Sequence, residues 1–467
     1  MVQRGPGSDL RDTRALLTRT PVVAAIALTY VAILHYAYVE YVVPAYAYLQ
    51  YDYRTPDPLG YGVAVVLVVA LAVLLPRRLT HPSHFIVWVL FVIAIVPSLL
   101  VPQWATALSR AEALELTLWV GACFGLVAVL GTRQALREFV PRWPLPTDTF
   151  WLLIAGIFVV LNLYAVLTVG VNLSPPALDD VYGVRGEFNE EADLSPALGY
   201  AIPLLRSVIN PAMIVRGLWE RRPLWLLAGV LGQVYLYAAQ GAKSAIFSPL
   251  VIGAAFLLLR RRRAMAGSLP LLGVSGLAVA LMALDWLRSS EHLTLLITRR
   301  TLITPGLVTT GYVQVFDDAP KAQLGHSVLE PFVRYPYQAE PPDLVGARFF
   351  GNPTTHANTG WLGDGFANFG YPGMIGASLI LVLVLWMIDD AAKGLPFGFA
   401  CLFLLHPALA LSESAILTTI LTHGVFSAIV LLALAPRTGW TRDGPVIGHD
   451  PTPAAVPDER KTWRLIS

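Results

Sequence analysis

Long apolar stretches separated by short polar ones run along most of the sequence. Each holds about 16 to 24 residues, and about 20 apolar residues in a helix are needed to cross the hydrocarbon core of a bilayer. The pattern predicts an all-α fold, a polytopic bundle of about twelve transmembrane helices forming a single domain over residues 21–435. The stretches lie at about 21–44, 61–75, 85–101, 113–131, 149–169, 196–215, 224–239, 245–259, 268–287, 371–388, 396–411 and 417–435.

Composition excludes an ordinary soluble domain, because 55% of the residues are hydrophobic and only 14% are charged. The net charge of +2 comes from basic and acidic residues that nearly cancel, and no basic stripe for nucleic acid is visible. Cys123 and Cys401 both fall inside apolar stretches, so we expect neither a disulfide framework nor a metal site. The sequence carries no nucleotide-binding glycine motif, and no cofactor is expected.

Positive charge predicts the orientation, because basic residues are retained on the cytoplasmic side during insertion. Two thirds of the 33 basic residues lie in cytoplasmic segments if the N-terminus is inside. This predicts a multi-pass protein of a bacterial plasma membrane with both ends inside. Residues 1–20 would be the cytoplasmic N-terminus and 436–467 a disordered cytoplasmic tail. The outside then holds two long segments, residues 170–195 and one large extracytoplasmic loop at 289–370.

Basic residues outside the cytoplasmic segments oppose the insertion bias, so each should have a reason to be there. Arg299 and Arg300 follow an apolar stretch, which predicts an interfacial amphipathic helix along the outer leaflet. They could anchor to lipid phosphates, or with Arg288 they could hold a pyrophosphate bidentately. Lys243 lies in a tight outer turn of small residues, where it could snorkel to the headgroups or bind an anion.

Arg206 lies within an apolar stretch, four residues before Asn210 and on the same side of the helix. A charge at the centre of a bilayer costs at least about 2.5–3.5 kcal/mol on insertion scales, so it normally faces a partner or a cavity. Two interpretations of this intramembrane polar site stay open. Arg206 could form a buried ion pair with Asp285, or it could line a polar cavity beneath an outer site.

Residues 334–370 are the densest polar stretch of the chain, and aromatic side chains are threaded through it. Aromatic faces beside amides and carboxylates suit sugar rings, although the stretch could also be a loop packed over the bundle. His356 and Asp364 are candidate acid–base residues. Glu187, in the first outer segment, is a third, and its neighbour Arg185 could hold a phosphate or merely neutralise nearby carboxylates. The candidate glycan-binding residues are Arg334, Arg348, Tyr312, Asn358 and Trp361.

Three stretches resemble the Wzy-type polymerases of polysaccharide repeat units, which are relatives of the O-antigen ligases. Residues 240–246 look like the lysine–serine turn of that family, 299–316 like its basic stretch before a large loop, and 358–373 like the end of that loop. The resemblance implies transfer of a glycan from an undecaprenyl-pyrophosphate carrier to another carrier-linked repeat unit, on the outer face of the plasma membrane. We expect an inverting, metal-independent reaction in which cations stabilise the departing pyrophosphate, namely Arg185, Lys243, Arg288, Arg299 and Arg300.

Other functions stay open. An O-antigen-ligase-like transferase would use the same lipid donor with another acceptor. A transporter or flippase for lipid-linked glycans would be built from repeats and broken helices, and the sequence shows no internal repeat. A scaffold of an envelope-synthesis complex would not need outer cations. The expected partners are membrane lipids, the lipid-linked donor and acceptor, and other envelope-polysaccharide proteins such as a flippase or chain-length regulator.

Overall fold

The computed structural model describes residues 15–133, 138–170, 196–260, 265–327 and 329–440. These residues are mostly helical, and the strands among them are the short antiparallel pair β1 (Arg78–Leu79) and β2 (Met265–Ala266). Eight of the described helices are long and apolar enough to cross a membrane. The predicted all-α class is therefore confirmed, and the chain is a membrane protein with transmembrane helices.

The first nine helices follow the apolar stretches to within a few residues. Proline occupies the first turn of several of them, where its missing N–H is not needed. Asp57 caps the second helix and Ser109 caps the fourth. The helices are α1 (Thr20–Leu49), α2 (Pro58–Leu74), α3 (Pro82–Trp104), α4 (Arg110–Leu130), α5 (Thr147–Val169), α6 (Ala197–Trp219), α7 (Pro223–Gln240), α8 (Lys243–Leu259) and α9 (Leu269–Arg288).

The chain after α9 departs from a simple row of spanning helices. A ten-residue π-helix precedes α10, and the last two apolar stretches are each divided into two short helices. These elements are the π-helix Thr294–Ile303, α10 (Thr304–Phe316), a 3-10 turn (Glu330–Phe332), α11 (Pro341–Arg348), α12 (Trp361–Ala391), α13 (Phe397–Phe403), α14 (Leu405–Glu413), α15 (Ile416–Leu421) and α16 (Val425–Leu434).

Helix α10 lies inside the bundle, packed against α3, α11 and α12. A Cβ on Gly306 would lie 2.3 Å from the carbonyl oxygen of Pro97 in α3. A Cβ on Gly311 would lie 2.7 Å from the ring of Phe349. The prediction of an interfacial helix for this stretch is therefore wrong, because small residues permit a close backbone approach that hydropathy does not reveal.

Helix α12 folds back on itself at Phe369 and Gly370, where the backbone leaves helical geometry. We call its first part, residues 361–368, the half-helix. The indole N–H of Trp361 donates to the hydroxyl of Ser378 at 3.2 Å. Seventeen residues of straight helix would separate these positions by about 25 Å. The half-helix therefore runs back along the part of α12 that follows it.

Glycine makes this fold-back possible. Gly370 has a φ of 65°, in the left-handed region that side chains with a Cβ rarely adopt. A Cβ on Gly373 would lie 2.0 Å from the carbonyl oxygen of Gly365, so the two arms of α12 touch backbone to backbone.

The helix ends define two faces of the bundle. The N-terminal face is the end at which Arg77 donates to Thr20, and the loop face is the end at which Tyr51 hydrogen-bonds to Thr304. Large apolar side chains such as Leu152 are exposed on the flanks between the faces, as expected for surfaces that contact lipid.

The start of the predicted disordered tail is ordered. Arg437 donates to the carbonyl oxygen of Ala391 at 2.8 Å, and the ring of Trp440 lies 4.3 Å from that of Phe399. Aromatic packing against α13 therefore extends the folded part to residue 440, and the remaining tail residues lie outside the described part of the chain.

Candidate active site

Arg206 lies in a π-helical turn of α6, Leu205–Ile209. The carbonyl oxygen of Arg206 accepts a hydrogen bond from the side chain of Gln233 in α7 at 2.9 Å. Its charge acts on three ionisable side chains from the last helices, which together with Arg300 we call the inner cluster. The members of the inner cluster are Arg206, Arg300, His406, Glu413 and His423.

Asp285 does not serve as the partner that one interpretation gave to Arg206. Its two carboxylate oxygens accept from the backbone N–H groups of Leu293 and Thr294, at 3.2 and 2.7 Å. A carboxylate in this position satisfies the free N–H groups at the start of the following π-helix. Asp285 therefore serves as the cap of the π-helix, and the charge of Arg206 acts on His406, Glu413 and His423 instead.

The π-helix that Asp285 caps carries Arg299 and Arg300, which are held in different ways. Arg299 donates to the carbonyl oxygen of Leu295 at 3.2 Å, and its guanidinium lies 3.9 Å from the ring centre of Tyr46. Arg300 is exposed, and its charge acts on Glu413. Arg206 and Arg300 both belong to π-helical turns, which are rare and frequently occur at functional sites.

The last helices bring their ionisable groups to Arg206 through a close contact with α6. Gly424 has a φ of 91°, and a Cβ there would lie 2.4 Å from the side chain of Val208. This approach places His423 next to the π-helical turn of α6. His406 is buried, and its Nε2 has no hydrogen-bond partner among the described residues.

Glu413 is the last residue of α14, and its surroundings indicate a cavity. Helix α14 packs against α3, α6, α15 and α16, and the two residues before Glu413, Leu411 and Ser412, are buried. Glu413 is nevertheless exposed to solvent. We call the solvent-exposed space at Glu413, between the end of α14 and the start of the half-helix, the vestibule.

The start of the half-helix borders this vestibule. A Cβ on Gly360 would lie 2.8 Å from the carbonyl oxygen of Ser412, the neighbour of Glu413. The hydroxyl of Thr359 is buried and has no hydrogen-bond partner among the described residues. The first N–H groups of the half-helix therefore lie beside the inner cluster, and a helix N-terminus favours negative charge.

Asp364, a predicted acid–base residue, has a different environment. It is buried in the half-helix, where its carboxylate accepts from the side chain of Asn368 at 3.0 Å and from the backbone N–H of Ile416. These bonds tie the half-helix to the start of α15. The carboxylate of Asp364 is therefore buried and engaged in hydrogen bonds that stabilise the fold, and it is not open to a substrate.

The chain from 317 to 360 covers the half-helix, and we call it the lid. Its inner edge pairs with the end of the half-helix, since the backbone N–H of Leu324 donates to the side-chain oxygen of Asn368 at 2.7 Å. His326 lies 3.8 Å from Asp364, and burial lowers the pKa of its imidazole. A neutral histidine therefore sits where the lid meets the half-helix.

The outer part of the lid carries the remaining predicted residues. His356 lies 2.5 Å from the carboxylate of Asp343 and is half exposed. Burial and the neighbouring Asp343 raise the pKa of Glu340. Exposed on the same lid are three predicted glycan-binding residues, Arg334, Arg348 and Asn358.

The other two predicted glycan-binding residues are buried. Tyr312 lies inside α10 with its ring centre 5.9 Å from that of Phe316, and the Trp361 indole is engaged with Ser378. Neither ring presents a face on which a sugar could stack. Both are placed by the close packing of α10 and α12, which the sequence pattern did not indicate.

The remaining predicted residues are dispersed. Lys243 begins α8 and is half-buried, and Arg288 ends α9 and is exposed. Asn210 is buried against α7, where a Cβ on Gly232 would lie 2.8 Å from its side-chain nitrogen. Arg185 and Glu187 lie outside the described residues.

Sequence reasoning missed His326 and three members of the inner cluster. His406, Glu413 and His423 lie in or beside the last two apolar stretches, where ionisable residues are expensive and usually functional. The presence of ionisable residues in and between those two apolar stretches was the signal that could have revealed them.

The chemistry that the inner cluster can perform follows from its composition. Two guanidiniums and a helix N-terminus can hold an oxyanion, and a carboxylate and two imidazoles can accept or donate a proton. In the part of the chain that the structure describes, no group of three or more His, Cys, Asp and Glu residues is placed to hold a metal ion. No family model, curated protein or solved structure matches this chain.

Proposed function

We propose that this protein is a glycosyltransferase that joins oligosaccharides carried on a polyprenyl pyrophosphate, and that it polymerises repeat units of a bacterial envelope polysaccharide. The observation that carries the proposal is the inner cluster, in which Arg206 of the apolar helix α6 and the exposed Arg300 both act on Glu413. A charge within an apolar helix needs a function, and a lipid-borne anion is a ligand that reaches it from the membrane.

The donor would bind with its pyrophosphate between the two arginines and its polyprenyl chain in the surrounding lipid. Guanidinium groups suit phosphate oxygens because their planar donors bond bidentately. As the bond from the sugar to the pyrophosphate breaks, negative charge grows on the leaving oxygen, and preplaced cations in a low-dielectric site stabilise it. Arginines can carry this charge without a metal ion.

The polar lid would hold the sugars of donor and acceptor above the inner cluster. Its exposed Arg334, Arg348 and Asn358 supply hydrogen-bond donors for hydroxyl groups. In this proposal the N-terminal face is cytoplasmic, the loop face lies outside, and the last two of the twelve apolar stretches form a hairpin that turns within the bundle. An O-antigen-ligase-like enzyme would use the same donor site and differ in its acceptor.

A second candidate function is transport of the lipid-linked glycan. Helix α12 is broken at Gly370, and the stretch of α15 and α16 is interrupted at Gly424. Broken helices around a buried polar site are a common feature of transporters. A transporter would move its substrate without forming a new glycosidic bond.

The experiment is a reaction of the full chain in liposomes with a defined undecaprenyl-pyrophosphate-linked oligosaccharide. We expect wild-type protein to produce a ladder of longer lipid-linked glycans. Arg206→Ala and Arg300→Ala should each lower the initial rate by about 100-fold or more, since each removes a donor to the leaving group. Arg222→Ala is the matched control, because its side chain is 62% exposed between α6 and α7.

Two outcomes contradict the proposal. Movement of the donor across the bilayer without longer products would establish transport instead. A normal ladder from both inner-cluster variants would show that these arginines do not serve the reaction. Defined acceptors in the same assay separate a polymerase, which extends a carrier-linked glycan, from a ligase, which does not.

A further inference from the structure

Glu413 occupies the point at which three helix ends meet inside the bundle. It ends α14, α15 begins three residues later at Ile416, and the half-helix begins against Ser412. The chain therefore reverses direction within the bundle, beneath the half-helix. A carboxylate at this turn faces the vestibule while its own helix is packed on several sides.

The two cationic groups of the inner cluster both act on this carboxylate. The charges of Arg206 and Arg300 reach Glu413 from different elements, α6 and the π-helix after α9, and α14 packs directly against the π-helical turn that carries Arg206. An anion held by these arginines would consequently lie beside Glu413. The reacting carbon of a glycosyl pyrophosphate is one bond from that anion, so an acceptor hydroxyl attacking it would come within reach of the carboxylate.

Other acid–base groups of the chain are less available. Asp364 is buried and accepts hydrogen bonds from Asn368 and Ile416. His356 lies 2.5 Å from Asp343 on the lid and is paired with that carboxylate. Glu413 combines exposure to the vestibule with proximity to both arginines.

We propose that Glu413 is the general base of the transfer reaction, a role that rests on the proposed function. Its carboxylate takes the proton from the acceptor hydroxyl as the acceptor oxygen forms a bond to the anomeric carbon of the donor. The bond from that carbon to the pyrophosphate oxygen breaks, and its electron pair leaves with the polyprenyl pyrophosphate, whose charge Arg206 and Arg300 stabilise. The proton passes from Glu413 to water in the vestibule. Attack opposite the leaving group inverts the anomeric carbon.

A different role for Glu413 is to neutralise the two arginines. The two roles predict different results, because a counter-ion acts on binding and folding whereas a base acts on the chemical step. A base also makes the rate depend on its own protonation state, so a change of carboxylic acid alters the pH profile.

The test uses the full chain in liposomes with the donor described above. Glu413→Gln keeps the size of the side chain and removes its basicity, and we expect kcat to fall by about 100-fold or more. The affinity for undecaprenyl pyrophosphate alone should stay within about threefold of wild type or become tighter, because a neighbouring negative charge is lost. Glu413→Asp should keep a measurable rate with a shifted acidic limb in its pH profile. Glu330→Gln, a carboxylate change on the lid surface, is the control.

The outcomes separate the two proposals. If wild-type protein forms no glycosidic bond, the proposed function fails and the role of Glu413 falls with it. If wild-type protein is active and Glu413→Gln keeps kcat within about threefold, only the assignment of the base is overturned. Should the Gln variant fail to fold, the Asp variant decides, since an unchanged acidic limb at wild-type rate contradicts a role as base.

Discussion

Arg299 and Arg300 are neighbours in one π-helix, but their side chains lie in different surroundings. Tyr46, Tyr51 and the carbonyl oxygen of Leu295 surround the guanidinium of Arg299. Arg300, the next residue, is exposed, and its charge acts on Glu413. One interpretation of the sequence was that both arginines bind the same pyrophosphate. In the structure, Arg299 instead contributes to the packing of α1 against the π-helix.

This difference predicts that replacing Arg299 reduces the stability of the protein far more than replacing Arg300. Arg299→Ala should lower the free energy of unfolding by about 1–3 kcal/mol, because it removes the cation–π contact with Tyr46 of α1 and the hydrogen bond to Tyr51. Arg300→Ala should change that free energy by less than about 0.5 kcal/mol, as surface substitutions usually do. Thermal unfolding of both variants in the same detergent measures the contrast. Equal losses would contradict the separate roles.

At the scale of the element, the folded-back α12 organises the loop face. The half-helix meets α14 beside its N-cap Gly360, the lid at Asn368 and the rest of α12 at Gly365. Each contact depends on a glycine or a short polar side chain, because only these allow backbones to meet. The half-helix therefore couples the lid to the inner cluster.

The fold-back predicts a sharp difference between two glycines of one helix. Gly373→Ala should destabilise the protein by about 1–3 kcal/mol, because its Cβ would overlap the carbonyl oxygen of Gly365. Gly376→Ala is the matched control, since nothing lies within 4 Å of a Cβ at that position. Unfolding temperatures of the two variants provide the measurement. A continuous straight α12 would leave both variants equally stable.

The same elements show what the sequence could predict. Nine helices were placed within a few residues because a spanning helix needs a long apolar run, which composition alone reveals. The half-helix, residues 361–368, was assigned to a polar outer loop because its glycines and aromatic residues carry no hydropathy signal. Glu413 escaped notice because the predicted apolar stretch ended at residue 411, two residues earlier. Close contacts between small residues place both the half-helix and Glu413. Such contacts follow no regular spacing in the sequence, so they could not be predicted from it.

At the scale of the whole molecule, charges hold the N-terminal face together. Asp389 accepts from the hydroxyl of Ser83 at 2.6 Å, and Asp390 accepts from Lys393 at 2.6 Å. These bonds fasten α12 to α3 and to the start of the next segment. The loop face has the vestibule and the lid instead, so the two ends of the bundle differ in chemistry as well as in shape.

The proposed orientation predicts opposite labelling from the two faces. Cys123 and Cys401 are buried, so they should not react with a membrane-impermeant maleimide. Asn352→Cys, on the exposed lid, should be labelled in intact cells. Trp143→Cys, at a position 66% exposed on the N-terminal face, should be labelled only after the membrane is opened. The reverse pattern would invert the topology and place the vestibule in the cytoplasm.

The hairpin of α14 and α15 has a consequence for biogenesis. The two helices have nine and six residues, far short of the roughly 20 needed to span a bilayer. Their turn leaves backbone groups and Glu413 at a depth where lipid offers no hydrogen bonds. Helix α14 packs against α6, and its end lies beside the start of the half-helix. The ribosome makes both of those elements before the hairpin, so its packing partners are already synthesised when it enters the membrane.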